Sequence, residues 1–386
     1  MRKTLLTLLV SAALVAGCQS NKEPAITELS PNNLRAVWTR TLDLKDAAPR
    51  EIYARDNMLF VYTTQNMVYQ MDRKSGDVGF IIRAASPGAQ AKPPVLHEGS
   101  VIIPTDQTLD YYNTKGYRTA SIKLKDPIRS GIATDKYGTY VGIDSGSGGA
   151  RIASIDASSP NSPYRWQFLT KGVVVSTPAI YEGVLFSASD DGNVYAVDSD
   201  RNEAWTALKG VFKTDGPVHG DVTAEKSGVY VASADSKLYC LNPRDGKILW
   251  QYYSGFPLFD SPAVTATTVY INVRDHGVAA IDKGNGEYER HARWVVPDTT
   301  RFLAEDDQYA FLLGKNNAIV AVDKKTGEVK FTSKRTDLVV FAVNTTDGVI
   351  YAATAKGKVI AAVAIKRHGE VGELVWAEPA DMAAYN

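Results

Sequence analysis

The feature that most constrains this chain is a repeat. Its cleanest copy runs from Val175 to Trp205 and reads as four short strands. Residues 177–181 form an apolar stretch, and residues 184–188 form a second one entered through Gly183. Asp190-Asp191-Gly192-Asn193 makes a turn into a third stretch, residues 194–197, which Asp198 closes; Trp205 marks a fourth. Gly and Asn tolerate the positive φ of tight hairpin turns, whereas β-branched and aromatic residues favour extended chain. A four-stranded sheet cannot bury both of its faces alone, so such units must stack on one another.

The residue closing the third strand recurs at Asp72, Asn113, Asp156, Asp198, Asn242, Asp282, Asp323 and, degenerately, Ile365, in steps of 40–44 residues. A period of about 40–45 residues with four strands per unit marks propeller blades. The entry to the second strand repeats as Gly99-Ser100-Val101, Gly138-Thr139-Tyr140, Gly183-Val184-Leu185, Gly228-Val229-Tyr230 and Gly348-Val349-Ile350. The six tryptophans (Trp38, Trp166, Trp205, Trp250, Trp294, Trp376) all fall in the fourth-strand slot, and Phe80 and Phe331 fill it in two more copies. Only the copy around residues 117–122 lacks a bulky aromatic there. The pattern predicts an all-β chain, an eight-bladed β-propeller of four-stranded antiparallel blades. Trp38 and Trp376 compete for the last slot. Either residues 34–42 pair into the eighth blade and residues 374–377 add an extra strand or cover, or the reverse holds.

Met1-Arg2-Lys3 is a basic head on an apolar run, residues 4–17, that is shorter than a bilayer span and has the form of a secretory signal. No other stretch is apolar and long enough for a transmembrane helix. The run ends Val15-Ala16-Gly17-Cys18, which resembles the lipobox of bacterial lipoproteins. That resemblance implies a lipid on Cys18, and Gln19 in place of an Asp implies the outer membrane. The expected organisation is a signal peptide over residues 1–17, a lipidated Cys and polar tether over 18–33, and the propeller with a C-terminal tail over 34–386.

Lysine plus arginine number 43, as do aspartate plus glutamate, so no net charge draws the chain to nucleic acid or to an anionic surface. Apolar residues at helical spacing are missing. With Cys18 lipidated, Cys240 has no partner in the chain and reads as a small buried apolar residue. Residues 84–94 and the Ser145-Gly146-Ser147-Gly148-Gly149 insert fall where strands connect. A phosphate cradle needs a helix after such glycines, and strand-like residues 151–155 follow instead.

The residues offer no catalytic constellation. His97, His219, His276, His291 and His368 lie in separate copies without metal-ligand spacing. His219-Gly220-Asp221 could orient a base but has no nucleophile beside it, and Asp190-Asp191-Gly192 lacks the further ligands of a calcium loop. The aspartates that end third strands read as turn caps. We therefore expect no metal, no cofactor and no catalytic residue.

Units such as Tyr195-Ala196-Val197-Asp198 with Trp205, Tyr239-Cys240-Leu241-Asn242 with Gly246 and Trp250, and Ala321-Val322-Asp323 with Gly327 and Phe331 resemble the repeats of quinoprotein-type (PQQ-like) β-propellers, over residues 34–377. A lipobox joined to eight such blades is similar to the BamB family, lipoprotein subunits of the outer-membrane β-barrel assembly machinery. The resemblance implies a non-catalytic scaffold facing the periplasm, a monomer within a complex, that binds protein partners through loops at one rim. Loops from a fourth strand to the next first strand are the candidates: residues 173–175, 213–215 and 255–260. Within them Asp215, Phe256, Leu258, Phe259 and Asp260 are the candidate contact residues, although Phe256 and Phe259 read equally well as packing between blades. The arginine that the family can carry in the first of these loops is absent from Val173-Val174-Val175. A quinone-dependent dehydrogenase is the enzymatic alternative. It would need calcium beside the quinone and an acidic base, and many members add adjacent cysteines, which this chain lacks. A third reading places a partner or ligand in the central channel, near Ser176-Thr177-Pro178, Asp215-Gly216-Pro217 and Asp260-Ser261-Pro262; these residues equally suit the backbone groups where strands begin.

Overall fold

The computed structural model describes residues 34–364, apart from positions 87, 147–148, 199, 201, 203, 206–209, 285, 334 and 336, together with Trp376–Ala377. The predicted signal segment, Cys18, the tether and His368 lie outside the described residues. Every regular element within them is a strand.

Eight sheets form in chain order, each antiparallel over its four main strands. Blade 1 spans 49–83, blade 2 95–123, blade 3 128–169, blade 4 179–213, blade 5 223–253, blade 6 263–296 and blade 7 299–332. Blade 8 takes Leu338–Phe341, Ile350–Thr354 and Lys358–Ala364, and its fourth strand is the N-terminal Leu34–Thr41, paired antiparallel with Lys358–Ala364. Trp376–Ala377 then pairs parallel with Leu34–Thr41 as a fifth, outermost strand. Of the two closures left open by the sequence, the first is the one adopted, and Trp376 does not occupy a fourth-strand slot. Blade 5 also gains an outer strand: Glu289–Arg290, from blade 6, runs parallel to Ile248–Tyr253.

The aromatic register has a physical basis. On one face of several sheets a second-strand aromatic and a fourth-strand aromatic flank a small third-strand residue. The triplets are Tyr140/Ser154/Trp166, Tyr230/Cys240/Trp250, Tyr270/Ala280/Trp294 and Tyr351/Ala361/Trp38. Strands two apart stand about 10 Å from each other. Rings that lean over the small residue close this gap, with centroids 5.9 Å apart for Tyr230 and Trp250. Cys240 is accordingly buried and free, and burial pushes its thiol up to about 12. In blade 2 the fourth-strand slot holds Ala120, opposite Tyr111.

Two positions depart from the expected register. Trp205 lies before the fourth strand of its blade, which is Val211–Lys213. The main chain still pairs beside it, Ala204 N–H donating to Ala196 O (2.9 Å), so the indole reaches the same place, fully buried and 5.3 Å from Phe186. In blade 8 the Tyr351/Ala361 pairing puts the closing position at Val363 instead of Ile365. The fourth strand there comes from the start of the ring, Leu34–Thr41, instead of from the residues that follow. Elsewhere the caps are present: Asp72 Oδ1 accepts the N–H groups of Lys74 and Ser75 (both 2.8 Å), and Asp323 Oδ1 accepts those of Lys325 and Thr326 (both 2.9 Å).

Three of the blades are locked to the next through this turn. Trp38 Nε1 donates to Arg73 O (2.9 Å), Trp205 Nε1 to Pro243 O (3.0 Å) and Trp294 Nε1 to Lys324 O (3.0 Å). The glycine ending the turn lies flat on the preceding blade's ring. At Gly76, which has φ +71°, a Cβ would sit 2.5 Å from the Trp38 indole, so both conformation and space require glycine.

Candidate functional site

First strands touch one another around the ring and so form its inner wall. One rim, called upper here, carries the connections from fourth to first strands together with the hairpins between second and third strands. The candidate contact loops all lie on this rim, over blades 4 to 6.

The loop from Ser254 to Pro262 is held from below. Ser254 Oγ donates to Ser236 O (2.9 Å) and to Phe256 O (2.5 Å), Gly255 takes φ +78°, and Leu258 N–H donates to Ser233 O (3.2 Å). Leu258 is thereby driven into the core between blades 5 and 6, with no exposed surface. It anchors the loop and offers nothing to a partner. Phe256, 41 % exposed, stacks on the His276 ring at 3.6 Å. Phe259 is half-buried between the His219 ring (5.8 Å) and the Arg274 guanidinium (4.7 Å), a cation–π arrangement. His219 Nε2 stands 3.3 Å from Asp190 Oδ1, and the exposed Asp260 accepts from Asn272 Nδ2 (2.6 Å). Asp215 is exposed one blade away, its N–H donating to Asp235 Oδ2 (3.0 Å). Of the five sequence candidates, Phe256, Phe259 and Asp260 meet in one patch, Asp215 flanks it, and Leu258 lies beneath it. In the first candidate loop Val174 is buried, so that loop presents little side chain.

His219, Arg274 and His276 complete the patch and were not singled out as contacts in the sequence. They sit on a different connection and a different hairpin from Phe256 and Phe259, and only the stacking of blades brings them together. On the inner wall Asp221 Oδ1 accepts Thr177 N–H (2.7 Å) and Asp221 N–H donates to Ser261 Oγ (2.8 Å), joining blades 4, 5 and 6. The blade 5 counterpart of Thr177 and Ser261 is thus Asp221 rather than Gly216. Proline follows Thr177 and Ser261 but valine follows Asp221, so matching on proline misplaces it; counting back from the second strand finds it. Ser176 Oγ, fully buried, donates to Ala188 O (2.9 Å) and accepts Ala188 N–H (3.2 Å), so it satisfies backbone.

No group of three or more His, Cys, Asp or Glu side chains among the described residues is placed to hold a metal ion. No helix among them is long and apolar enough to cross a membrane.

The blades also match known sequences. A family model described as outer membrane protein assembly factor BamB matches residues 105–216 and 211–302, together just over half of the chain. The chain belongs to this family. Among curated relatives, BamB of Yersinia pestis is 26 % identical over 159 residues, covering 38 % of each chain. Tetrathionate hydrolase of Acidithiobacillus ferrooxidans is 35 % identical over 97 residues, covering 24 % of this chain and 18 % of that enzyme. These matches therefore span well under half of either relative. Among solved structures, BamB from Moraxella catarrhalis superposes with a TM-score of 0.63 at 15 % identity, covering 86 % of this chain and 99 % of that one. The computationally designed Ika8 protein superposes with a TM-score of 0.61 at 13 % identity, covering 83 % of this chain and 98 % of its own. At such identities these two likenesses establish the fold shared with BamB-family propellers.

Proposed function

We propose that this protein is a non-catalytic scaffold, anchored in the outer membrane by a lipid on Cys18 and facing the periplasm, that assists the insertion of β-barrel proteins. Membership of the BamB family carries the reading. In this reading the upper rim over blades 4 to 6 docks a protein subunit of the assembly machinery. Phe256 and Phe259 supply apolar area at low conformational cost, Arg274 and the two histidines hold them in place, and Asp215 and Asp260 form a polar border. A rigid ring that displays loops suits such a role.

Crosslinking and mass spectrometry on the protein extracted with its native membrane tests this. Crosslinks from the 213–215 and 255–260 loops to a barrel-assembly subunit are expected; a well-extracted protein that shows none defeats the reading. Phe256→Ala and Phe259→Ala should each weaken the complex by about 1–2 kcal/mol, roughly tenfold, without unfolding the ring.

A further inference from the structure

On the lower rim, opposite the candidate patch, the residue after the third-strand cap fills the junction between neighbouring blades. Arg73, Lys283 and Lys324 hold this position, and their N–H groups donate alike to Asn57 O (3.0 Å), Thr267 O (3.0 Å) and Gln308 O (2.9 Å). Their side chains close the junction: Arg73 reaches Asp347 (3.0 Å), Lys283 reaches Glu225 (2.5 Å) and Lys324 reaches Asp306 O (3.0 Å). In blade 5 the position is Pro243, matched to Arg73 and Lys324 by the indole that donates to its carbonyl. Proline offers neither an N–H nor a cation. The second-strand aromatic of the preceding blade changes with it. Tyr351 Oη accepts from Arg73 and Tyr270 Oη donates to Glu305 (2.6 Å), whereas Phe186, the ring against Trp205, has no hydroxyl.

A cleft of 540 Å³ opens at this junction of blades 4 and 5, within the range of roughly 300–1,000 Å³ that small-molecule sites occupy. Its apolar lining is Tyr181 and Pro243, both half-buried, and Leu249, which is 43 % exposed. Glu182 also lines it and already accepts the Tyr181 hydroxyl (2.9 Å). Lys226 and Arg244 complete the charged lining, both exposed. Among the described residues no ion pair or side-chain hydrogen bond engages either of them. Two cations therefore stand against one carboxylate. A cation entering as Arg73 does at the closing junction would meet two like charges, whereas a carboxylate would meet two partners.

We propose that the lower-rim cleft between blades 4 and 5 binds a small amphiphilic carboxylate, its apolar body against Tyr181, Pro243 and Leu249 and its carboxylate at Lys226 and Arg244. Burial of the apolar body supplies the affinity, and the two cations select the sign of the charge. The carboxylate comes either from a free organic acid or from an acidic residue beside apolar ones in a peptide. This cleft lies on the rim opposite the docking patch and stands or falls independently of it.

The test is calorimetric titration of the whole propeller, at constant ionic strength, with 3-phenylpropionate, its neutral amide and the cation 3-phenylpropylamine. A further arm uses the peptide acetyl-Leu-Glu-Phe-amide, whose only charge is its side-chain carboxylate. Saturable binding of the free acid or of the peptide is expected, and the tighter of the two identifies the source. The neutral amide should bind more weakly than the acid, and the amine weakest of all. Lys226→Gln and Arg244→Gln should each weaken the acid about threefold and together about tenfold, the size expected of exposed charge pairs. Leu249→Asp should abolish binding. Lys74→Gln, the exposed neighbour of Arg73 at the filled junction, should change nothing. These substitutions are on the surface and should leave the melting temperature unchanged; if one of them does not, the three phenylpropyl probes on the wild type decide alone. Three results would each overturn the proposal: no saturable binding of acid or peptide at about 10 mM, amine binding as tight as acid, or unchanged acid binding in a folded Lys226→Gln, Arg244→Gln protein.

Discussion

The junction between blades 8 and 1 differs from the junction between blades 4 and 5, although both use the same indole-to-carbonyl hydrogen bond. At the interior junction Trp205 donates to Pro243 O, and proline adds no side-chain hydrogen bond. At the closing junction Trp38 donates to Arg73 O, and the Arg73 side chain then spreads over blade 8. It donates to Tyr351 Oη (3.2 Å), Asn344 Oδ1 (3.2 Å) and Asp347 Oδ2 (3.0 Å), and its guanidinium lies 5.1 Å from the Tyr351 ring centroid. Blades 4 and 5 are joined by continuous chain. Blade 8 has no chain connection to blade 1 except through Leu34–Thr41, a strand borrowed from the other terminus. Where covalent continuity ends, a polar network takes its place.

This comparison can be broken most severely by removing residues 34–41. Blade 8 then loses its fourth strand and Trp38, and the cooperative thermal transition should be lost or replaced by a broad one; a sharp melt near that of the intact protein would show that the ring tolerates an open edge. Next in size, Trp38→Ala should cost about 3–5 kcal/mol by denaturant unfolding, as expected for a buried tryptophan. It should cost more than Trp294→Ala, whose partner Lys324 reaches, among the described residues, Asp306 O and Glu305. Arg73→Gln should cost about 2 kcal/mol, because it strands buried acceptors, whereas Lys324→Gln should cost clearly less. If the two proved equal, the closing network would have no special role.

The smallest expected effect is on pH dependence. The Asp72 carboxyl is held below its ordinary value foremost by the Ser75 N–H, and that of Asp156 foremost by the Ser158 hydroxyl. A carboxyl whose pKa is depressed on folding stabilises above its unfolded value of about 3.9, and that contribution is lost as pH falls through the folded value. Stability should therefore decline below about pH 4. Asn caps the equivalent turns at Asn113 and Asn242, where Oδ1 accepts Lys115 N–H (3.0 Å) and Arg244 N–H (2.9 Å). The double variant Asp72→Asn, Asp156→Asn should thus fold normally and show a shallower acid limb in melts recorded against pH.

The architecture was legible because one unit is written eight times, and most copies repeat the same solution: a small residue between two aromatics and a capped turn into the next blade. Legibility fell wherever a copy departed from that unit. In blade 4 Trp205 lies ahead of the fourth strand Val211–Lys213, off the expected register, and is still fully buried. The eighth closing position, Val363, bears no polar mark, so the sequence pattern points to Ile365 instead. Glu289–Arg290 borrows its partner from another blade, which no local pattern announces. The candidate patch was half legible. The aromatics of residues 255–260 stood out, but Leu258 is indistinguishable from them in sequence and is buried. The partners His219, Arg274 and His276 are recognisable only once blades 4, 5 and 6 are side by side.

The borrowed strand also sets the order of folding. Leu34 faces Ala364 across the last sheet, so the first residues of the ring find their partners only after almost every other residue has been made. Such a pairing is among the most non-local in the molecule and correspondingly slow to nucleate. Until then the growing chain carries an unpaired strand, LRAVWTRT, at its leading end, open to premature pairing with any exposed edge. Ring closure thus acts as a completeness check: only a chain made through its eighth blade can hide that strand.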